Sequence, residues 1–222
     1  MTDTVIFDLD GTLLDTLEDL TDSVNHAMET FGFPLHTIDE VRTFVGNGAP
    51  KLLERSIPQG LENPDYEAAL AAFKAHYAAH CEDKTKPYEG VPEMLAALKA
   101  QGYHMAVVSN KFDGAVKKLC KKYFGEFIQV SIGESSEVKR KPAPDTVYRA
   151  LRELGCDASR AVYVGDSEVD IQTAKNALLP CISVTWGFRT EEKLRGEGAK
   201  EEMMIKTPQT LVPLLARLRA EG

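Results

Sequence analysis

Cysteine is scarce. The chain of 222 residues holds four, and Cys81, Cys120, Cys156 and Cys181 form no Cys-x-x-Cys pair and stand beside no histidine at zinc spacing. A disulfide framework and a cysteine-based metal centre are thereby excluded, and reduced, buried thiols are expected. No stretch reaches the roughly 18 apolar residues of a membrane span, so no membrane partner is expected. Positive charge is in deficit, with 26 Lys and Arg against 34 Asp and Glu and a formal charge of −8. An acidic surface of that kind repels nucleic acid and anionic lipid. Internal repeats and low-complexity tracts are absent as well. The N-terminal Met-Thr-Asp-Thr runs straight into Val5-Ile6-Phe7 without a basic region or a small-residue cleavage site, and cytoplasmic residence is the expectation.

What is present is a change of rhythm along the chain. Thr4 to Asp8 is a short β-rich run that breaks at Gly11 into a polar loop. From Thr16 onward Leu17, Leu20, Val24, Met28 and Phe31 recur at helical spacing until Gly32 and Pro34. Further helices are expected from Ile38 to Phe44, from Pro50 to Ile57 and from about Pro64, the last with Tyr66, Leu70, Phe73 and Tyr77 on one face. Gly46-Asn47-Gly48 reads as a turn between the first two. After Lys84-Thr85-Lys86-Pro87 strands and helices alternate. Strands are expected from Tyr103 to Val108, Ile128 to Ile132, Ala161 to Val164, Cys181 to Thr185 and Met203 to Ile205. Helices are expected over 91–100, 112–123, 144–154, 171–176 and 211–218. Such alternation predicts an α/β fold with a doubly wound, mostly parallel sheet. The helical stretch is too long for a connection within one such sheet. It reads as an inserted all-helical domain over residues 16–84, within an α/β core formed by residues 1–15 and 85–222.

In parallel sheets the carboxyl ends of the strands form the ligand crevice, and here those ends are acidic. The first strand ends in Asp8-Leu9-Asp10-Gly11-Thr12, the next in Ser109-Asn110, and a later one in Gly165-Asp166-Ser167-Glu168-Val169-Asp170. Carboxylates converging on one edge repel one another and call for a cation, and all-oxygen ligands favour Mg²⁺. Asp8, Asp166 and Asp170 are the candidates. A cation among carboxylates hosts phosphate well, and Lys141, before Pro142-Ala143-Pro144, adds a positive charge.

Taken in order, Asp8-x-Asp10-Gly-Thr12, Ser109, Lys141-Pro-x-Pro and Gly165-Asp166-Ser-x-x-Asp170 resemble the motifs of the haloacid dehalogenase superfamily, over nearly the whole chain. Within it the chain is similar to the phosphoglycolate phosphatase-like group, which has a Rossmann-like core and a helical cap. The resemblance implies a Mg²⁺-dependent phosphatase acting on a small phosphorylated metabolite, 2-phosphoglycolate first. Asp8 would be the nucleophile and Asp10 the general acid and base. Thr12, Ser109, Asn110 and Lys141 would hold the phosphoryl group. The Asp8 carboxylate, the Asp10 backbone carbonyl and Asp166 would bind Mg²⁺, with Asp170 in support. Gly46, Asn47 and Gly48 resemble the family's specificity loop, and Arg55 would partner a substrate carboxylate. Rival readings are a β-phosphoglucomutase-like sugar-phosphate mutase and a phosphatase for another small phosphate ester or pyrophosphate. Asp10 argues against a true dehalogenase, and a phosphonate-cleaving enzyme, which needs a Schiff-base lysine in the cap, is disfavoured as well, since the one nearby candidate, Lys51, follows Pro50 at a helix start and reads as solvated. His76 and His80 have the spacing of a zinc pair but lack a third ligand. A monomer or homodimer is expected, with hinges near Asp15 to Leu17 and Lys84 to Gly90.

Overall fold

A computed structural model describes residues 2–221. In chain order its strands are β1 (Thr4–Phe7), β2 (Leu14–Asp15), β3 (Lys86–Pro87), β4 (His104–Phe112), β5 (Val130–Glu134), β6 (Ala161–Gly165), β7 (Cys181–Val184) and β8 (Met204–Ile205). Its α-helices are α1 (Leu17–Phe31), α2 (Ile38–Phe44), α3 (Ala49–Ser56), α4 (Tyr66–His80), α5 (Val91–Ala100), α6 (Asp113–Phe124), α7 (Asp145–Leu154), α8 (Glu168–Asn176), α9 (Glu191–Gly196) and α10 (Leu211–Glu221).

β1 has no polar face. Strands of that kind suit the middle of a parallel sheet covered on both sides, and all four of its residues are buried. It lies inside a six-stranded sheet of order β5-β4-β1-β6-β7-β8, in which every neighbouring pair is parallel. Side chains alternate across the pleat. Val5 and Phe7 therefore join one apolar layer, while Ile6 joins the other with Val147, Ala150 and Leu151 of α7. The sheet is thus sandwiched between helices, the arrangement that strand and helix alternation predicts.

Between β2 and β3 the chain is helical. Leu17, Leu20, Val24 and Met28 of α1 and Tyr66, Leu70, Phe73 and Tyr77 of α4 are buried, and the two helices pack against each other. α1 stops at Gly32, whose φ of 69° places it in the left-handed region. β2 and β3 pair antiparallel, Leu14 opposite Pro87 and Asp15 opposite Lys86, so the two crossings between sheet and helices are zipped to each other. The buried Asp19 carboxylate fastens them further, accepting from the Lys84 N–H at 3.0 and 3.2 Å and from the Thr85 N–H at 2.8 Å.

Some elements depart from expectation. β4 runs on to Phe112 instead of ending at Val108, because Ser109, Asn110 and Lys111 stay extended and buried in a polar cleft, with a register shift against β5. α8 begins at Glu168, three residues early, on a capping box made by Ser167 and Asp170. α9 buries only Leu194, and the β2–β3 ladder is two residues long, so neither carries a readable period. The cysteines are free; Cys81 and Cys120 are buried, whereas Cys156 and Cys181 are half-buried, against the uniform burial expected. His76 and His80 stack at 4.4 Å. The Nδ1 atoms engage Ser23 and Asp83 separately, and neither histidine belongs to a group of three metal-ligating side chains among the described residues. Among the described residues no helix is long and apolar enough to cross a membrane.

Replacing Asp19 removes the acceptor for two N–H groups, of which that of Thr85 is buried. Asp19→Ala should therefore lower the unfolding free energy by about 1–3 kcal/mol in denaturant titration. An unchanged midpoint would show that the β2–β3 ladder alone fastens the crossings.

Candidate active site

The carboxyl ends of β1, β4 and β6 lie side by side, which brings Asp8, Ser109 and Asp166 to one edge of the sheet. Lys141 lies at the centre of the charges gathered there. Its Nζ is 2.8 Å from Asp8 Oδ1 and 2.8 Å from Asp170 Oδ1, and it donates to the Tyr163 hydroxyl at 3.0 Å. Tyr163 in turn donates to Asp170 Oδ1 at 2.9 Å. Asp170 Oδ2 accepts from the Ser167 N–H at 3.1 Å and its hydroxyl at 2.6 Å. Both oxygens of Asp170 are thus committed. Asp8 Oδ1 also accepts from the Leu9 N–H at 2.7 Å, and Oδ2 has no hydrogen-bond partner among the described residues.

Asp166 is held from two loops, by the Phe188 N–H at 2.7 Å and the Thr12 hydroxyl at 3.3 Å. The backbone must come very close to allow this. A Cβ on Gly11 (φ 82°) or on Gly187 would collide with the Asp166 side chain. Asp10 accepts from the Thr16 hydroxyl at 2.7 Å, from Lys111 Nζ at 2.8 Å and from the Ser109 hydroxyl at 3.4 Å.

Burial, followed by repulsion from Asp170, pushes the Asp8 carboxyl well above the ordinary carboxylate range. The same two causes push Asp166 up to about 7, against the pull of the Phe188 N–H. Asp170 goes the other way: burial would raise it, but Lys141 holds it low. Burial works against the Lys141 charge too, and is outweighed by Asp170 and Asp8. The site is therefore short of positive charge. Asp8, Asp166 and Asp170 each offer an oxygen within 4.8 Å of the others. With Asp170 saturated, Asp8 and Asp166 are the carboxylates left to hold a cation, and a hard, all-oxygen donor set fits Mg²⁺.

A cavity of about 60 Å³ opens over these groups. Asp8, Asp10, Ser109, Lys141 and Asp166 form its floor, and Leu20, Leu52, Phe73 and Tyr77 of the helical segment roof it. Gly46 and Gly48 line it; Asn47 and Arg55 do not. The Arg55 guanidinium is spent on the Phe44 carbonyl at 2.6 Å and Asn47 Oδ1 at 2.9 Å, on the outer side of the loop. Lys51 pairs with Glu54 at 2.5 Å, also outside the cavity. Thr12 is fully buried, with its hydroxyl on Asp166 and its carbonyl taken by Trp186 Nε1 at 3.0 Å. Asn110 lines the cavity, but its Nδ2 donates to the Gly46 and Lys141 carbonyls at 3.2 and 3.0 Å, tying the loop to the core.

Sequence reasoning passed over several residues that the fold brings in. Lys111 follows Ser109-Asn110 directly, and Thr16 follows the first motif. Arg189 follows Trp186-Gly187-Phe188 and clasps the helical segment, donating to the Arg42 and Val45 carbonyls at 2.9 and 2.7 Å while its Nε holds Glu168 at 2.8 Å. Adjacency to the Ser109-Asn110 strand end was the available signal for Lys111, whereas Thr16 and Arg189 stand clear of the strand-end motifs.

Known proteins resemble this chain over most of its length. Residues 5–184 match the haloacid dehalogenase-like hydrolase family. The phosphoglycolate phosphatase 1 of Pseudomonas aeruginosa is 36% identical over 94% of this chain and 78% of its own length. The phosphoglycolate phosphatase of Pseudomonas syringae pv. syringae is 32% identical over 98% and 81%. A crystal structure from Lactobacillus delbrueckii subsp. bulgaricus, of a protein ascribed to the phosphoglycolate phosphatases, superposes with a TM-score of 0.91 at 34% identity, covering 97% of this chain and 99% of that one.

The raised carboxyls couple the site to stability. Asp166 keeps in the native state, up to about 7, a proton that the unfolded chain gives up near its unperturbed carboxylate value. The native state then binds more protons, so metal-free stability falls as pH rises toward 7. In EDTA the thermal midpoint should drop across that interval, and Mg²⁺ should recover it above 7. A midpoint indifferent to Mg²⁺ at alkaline pH would remove the cation from the site.

Proposed function

We propose, from the premise that this chain belongs to the haloacid dehalogenase-like hydrolase family and is a phosphatase, that it hydrolyses a small acidic phosphate monoester, 2-phosphoglycolate foremost, through an aspartyl-phosphate on Asp8. The observation that carries this reading is the pairing of Asp8 and Asp10 at the end of β1, each beside its own buried ammonium: Lys141 at 2.8 Å from Asp8 and Lys111 at 2.8 Å from Asp10.

The Asp8 carboxylate attacks phosphorus as the bond to the leaving alkoxide breaks, and Asp10 delivers the proton the alkoxide needs. Water then attacks the acyl phosphate, Asp10 takes its proton, and inorganic phosphate leaves with Asp8 regenerated. Lys141 and Ser109 hold phosphoryl oxygens through both steps. Asp8, the Asp10 carbonyl and Asp166 are the groups that would bind Mg²⁺, which supplies charge neutralisation for the incoming dianion. Asp170 supports them by anchoring Lys141.

Residues 16–84 act in this reading as a cap over a core of residues 1–15 and 85–222, excluding water from the phosphoryl group. The small cavity and its apolar roof suit a compact metabolite.

Phosphate release from a panel of small phosphorylated acids, sugars and nucleotides, in Mg²⁺ and in EDTA, tests the reading. Asp8→Asn should reduce turnover to background, and Asp10→Asn should lower kcat by about 10²–10⁴-fold. 2-Phosphoglycolate should lead the panel. Turnover undiminished in EDTA or in Asp8→Asn would defeat the mechanism; a neutral sugar phosphate in the lead would defeat the substrate assignment.

A further inference from the structure

Cations around the cavity are almost all committed. Lys141 serves Asp8 and Asp170, Arg189 is used on Glu168 and two carbonyls of the helical segment, and Arg55 faces away. Lys111 differs. Its side chain, 5% exposed, lines the cavity and reaches Asp10 Oδ1 at 2.8 Å and the Tyr77 hydroxyl at 2.6 Å. Its ammonium also lies 4.4 Å from the centre of the Tyr77 ring. An ammonium has three donors, and these contacts account for two of them. The Tyr77 hydroxyl accepts from Lys111, and its own proton has no acceptor among the described residues. Two donors, from β4 and from α4, are therefore left at one corner of the cavity, whose other near walls, Leu20, Phe73 and Phe112, are apolar.

We propose that Lys111 and Tyr77 together bind a carboxylate on the leaving group, making Lys111 the specificity-determining residue for acidic phosphate esters. The inference rests on the phosphatase reading above, because the position of the leaving group follows from the role of Asp10. If Asp10 serves the bridging oxygen, a group beside Lys111 lies on the far side of that oxygen from phosphorus. In a two-carbon acid the carboxylate is one carbon beyond the ester oxygen, which places it at this corner. Neutral alcohols present no acceptor there and would leave a buried ammonium donor unpaired, the kind of mismatch from which enzymes draw strong discrimination. A carboxylate received by an ammonium and a phenol O–H gains two charge-assisted hydrogen bonds in a site from which water is excluded.

Ethyl phosphate tests this directly, since it replaces the carboxylate of 2-phosphoglycolate by a methyl group. Wild type should favour the acid in kcat/KM. Lys111→Met should lower that preference by about 10²-fold, the scale of a charge-assisted hydrogen bond lost from a buried site, mainly through KM for the acid. Lys111→Arg should restore part of it, and Tyr77→Phe should lower the preference by about 10-fold. If Lys111→Met depresses both esters by one factor, Lys111 merely positions Asp10 and the proposal falls while the phosphatase reading stands. A wild-type enzyme that turns over ethyl phosphate through Asp8 without favouring the acid overturns the acidic-substrate assignment, and the role of Lys111 with it. Should Lys111→Met fail to fold, Tyr77→Phe, which keeps the ring packed, decides: an unchanged preference in that variant at wild-type thermal midpoint counts against the carboxylate site.

Discussion

Four carboxylates share the end of one sheet, and the repulsion among them is the constraint that organises this protein. Asp8, Asp166 and Asp170 are buried and mutually close, with Asp10 beside them. Isolated, each would shed its charge rather than remain ionised out of water. The chain meets this with two buried ammonium groups in different positions, Lys141 between Asp8 and Asp170, and Lys111 against Asp10. Hydrogen bonds then complete what charge leaves undone. Asp170 is fully satisfied by Lys141, Tyr163 and Ser167 and stays ionised, whereas Asp8 and Asp166 remain under-compensated and rise. In the proposed mechanism that asymmetry divides the labour: the satisfied carboxylate would be structural, and the unsatisfied ones would react or receive a cation.

Such a cluster requires a backbone that can come close without side chains intervening. Gly11 and Gly187 provide it for Asp166, and Gly165 does so for Asp170, where a Cβ would strike the aspartate itself. Parallel topology supplies the rest. β1, β4 and β6 are neighbours in register, so three loops that are far apart in sequence leave the sheet at the same edge. Their hydrogen bonds cross large sequence separations, as between Thr12 and Asp166 or Ser109 and Asp10.

Legibility from the sequence followed the same physics. The parallel sheet could be read because apolar runs alternate with helical periods, and the acidic loops because polar residues cluster where such runs stop. Most helices were located to within a few residues; α9 and the β2–β3 ladder were not, since neither is long enough to carry a period. Within the site, residues on the first polar positions after a strand were identifiable, but their partners were not. Lys111 stands at a strand-to-helix junction where nothing in the local sequence marks it, and only the continuation of β4 to Phe112 carries it into the cleft. Arg55 had the right charge and the right neighbourhood, yet its guanidinium closes the loop from outside. Side-chain direction at a loop depends on which backbone carbonyls lie free nearby, and that is not written in local sequence.

The helical segment touches the sheet-bearing part through contacts of unequal permanence. At one end the β2–β3 ladder and Asp19 bind both crossings of the chain, with covalent continuity through each. Near the cavity mouth, Arg189 holds the segment only through the carbonyls of Arg42 and Val45, hydrogen bonds that water can replace. Lys111 and Tyr77 form a further link, deep in the cavity, between β4 and α4. If the roof separates from the floor, Arg189, the Asn110–Gly46 hydrogen bond and the Lys111–Tyr77 pair must part while the ladder stays intact, which would make the ladder the pivot. A ligand received by both Lys111 and Tyr77 would bridge the two parts at the point farthest inside, so that the same contacts that select it would also hold the roof down over the phosphoryl group.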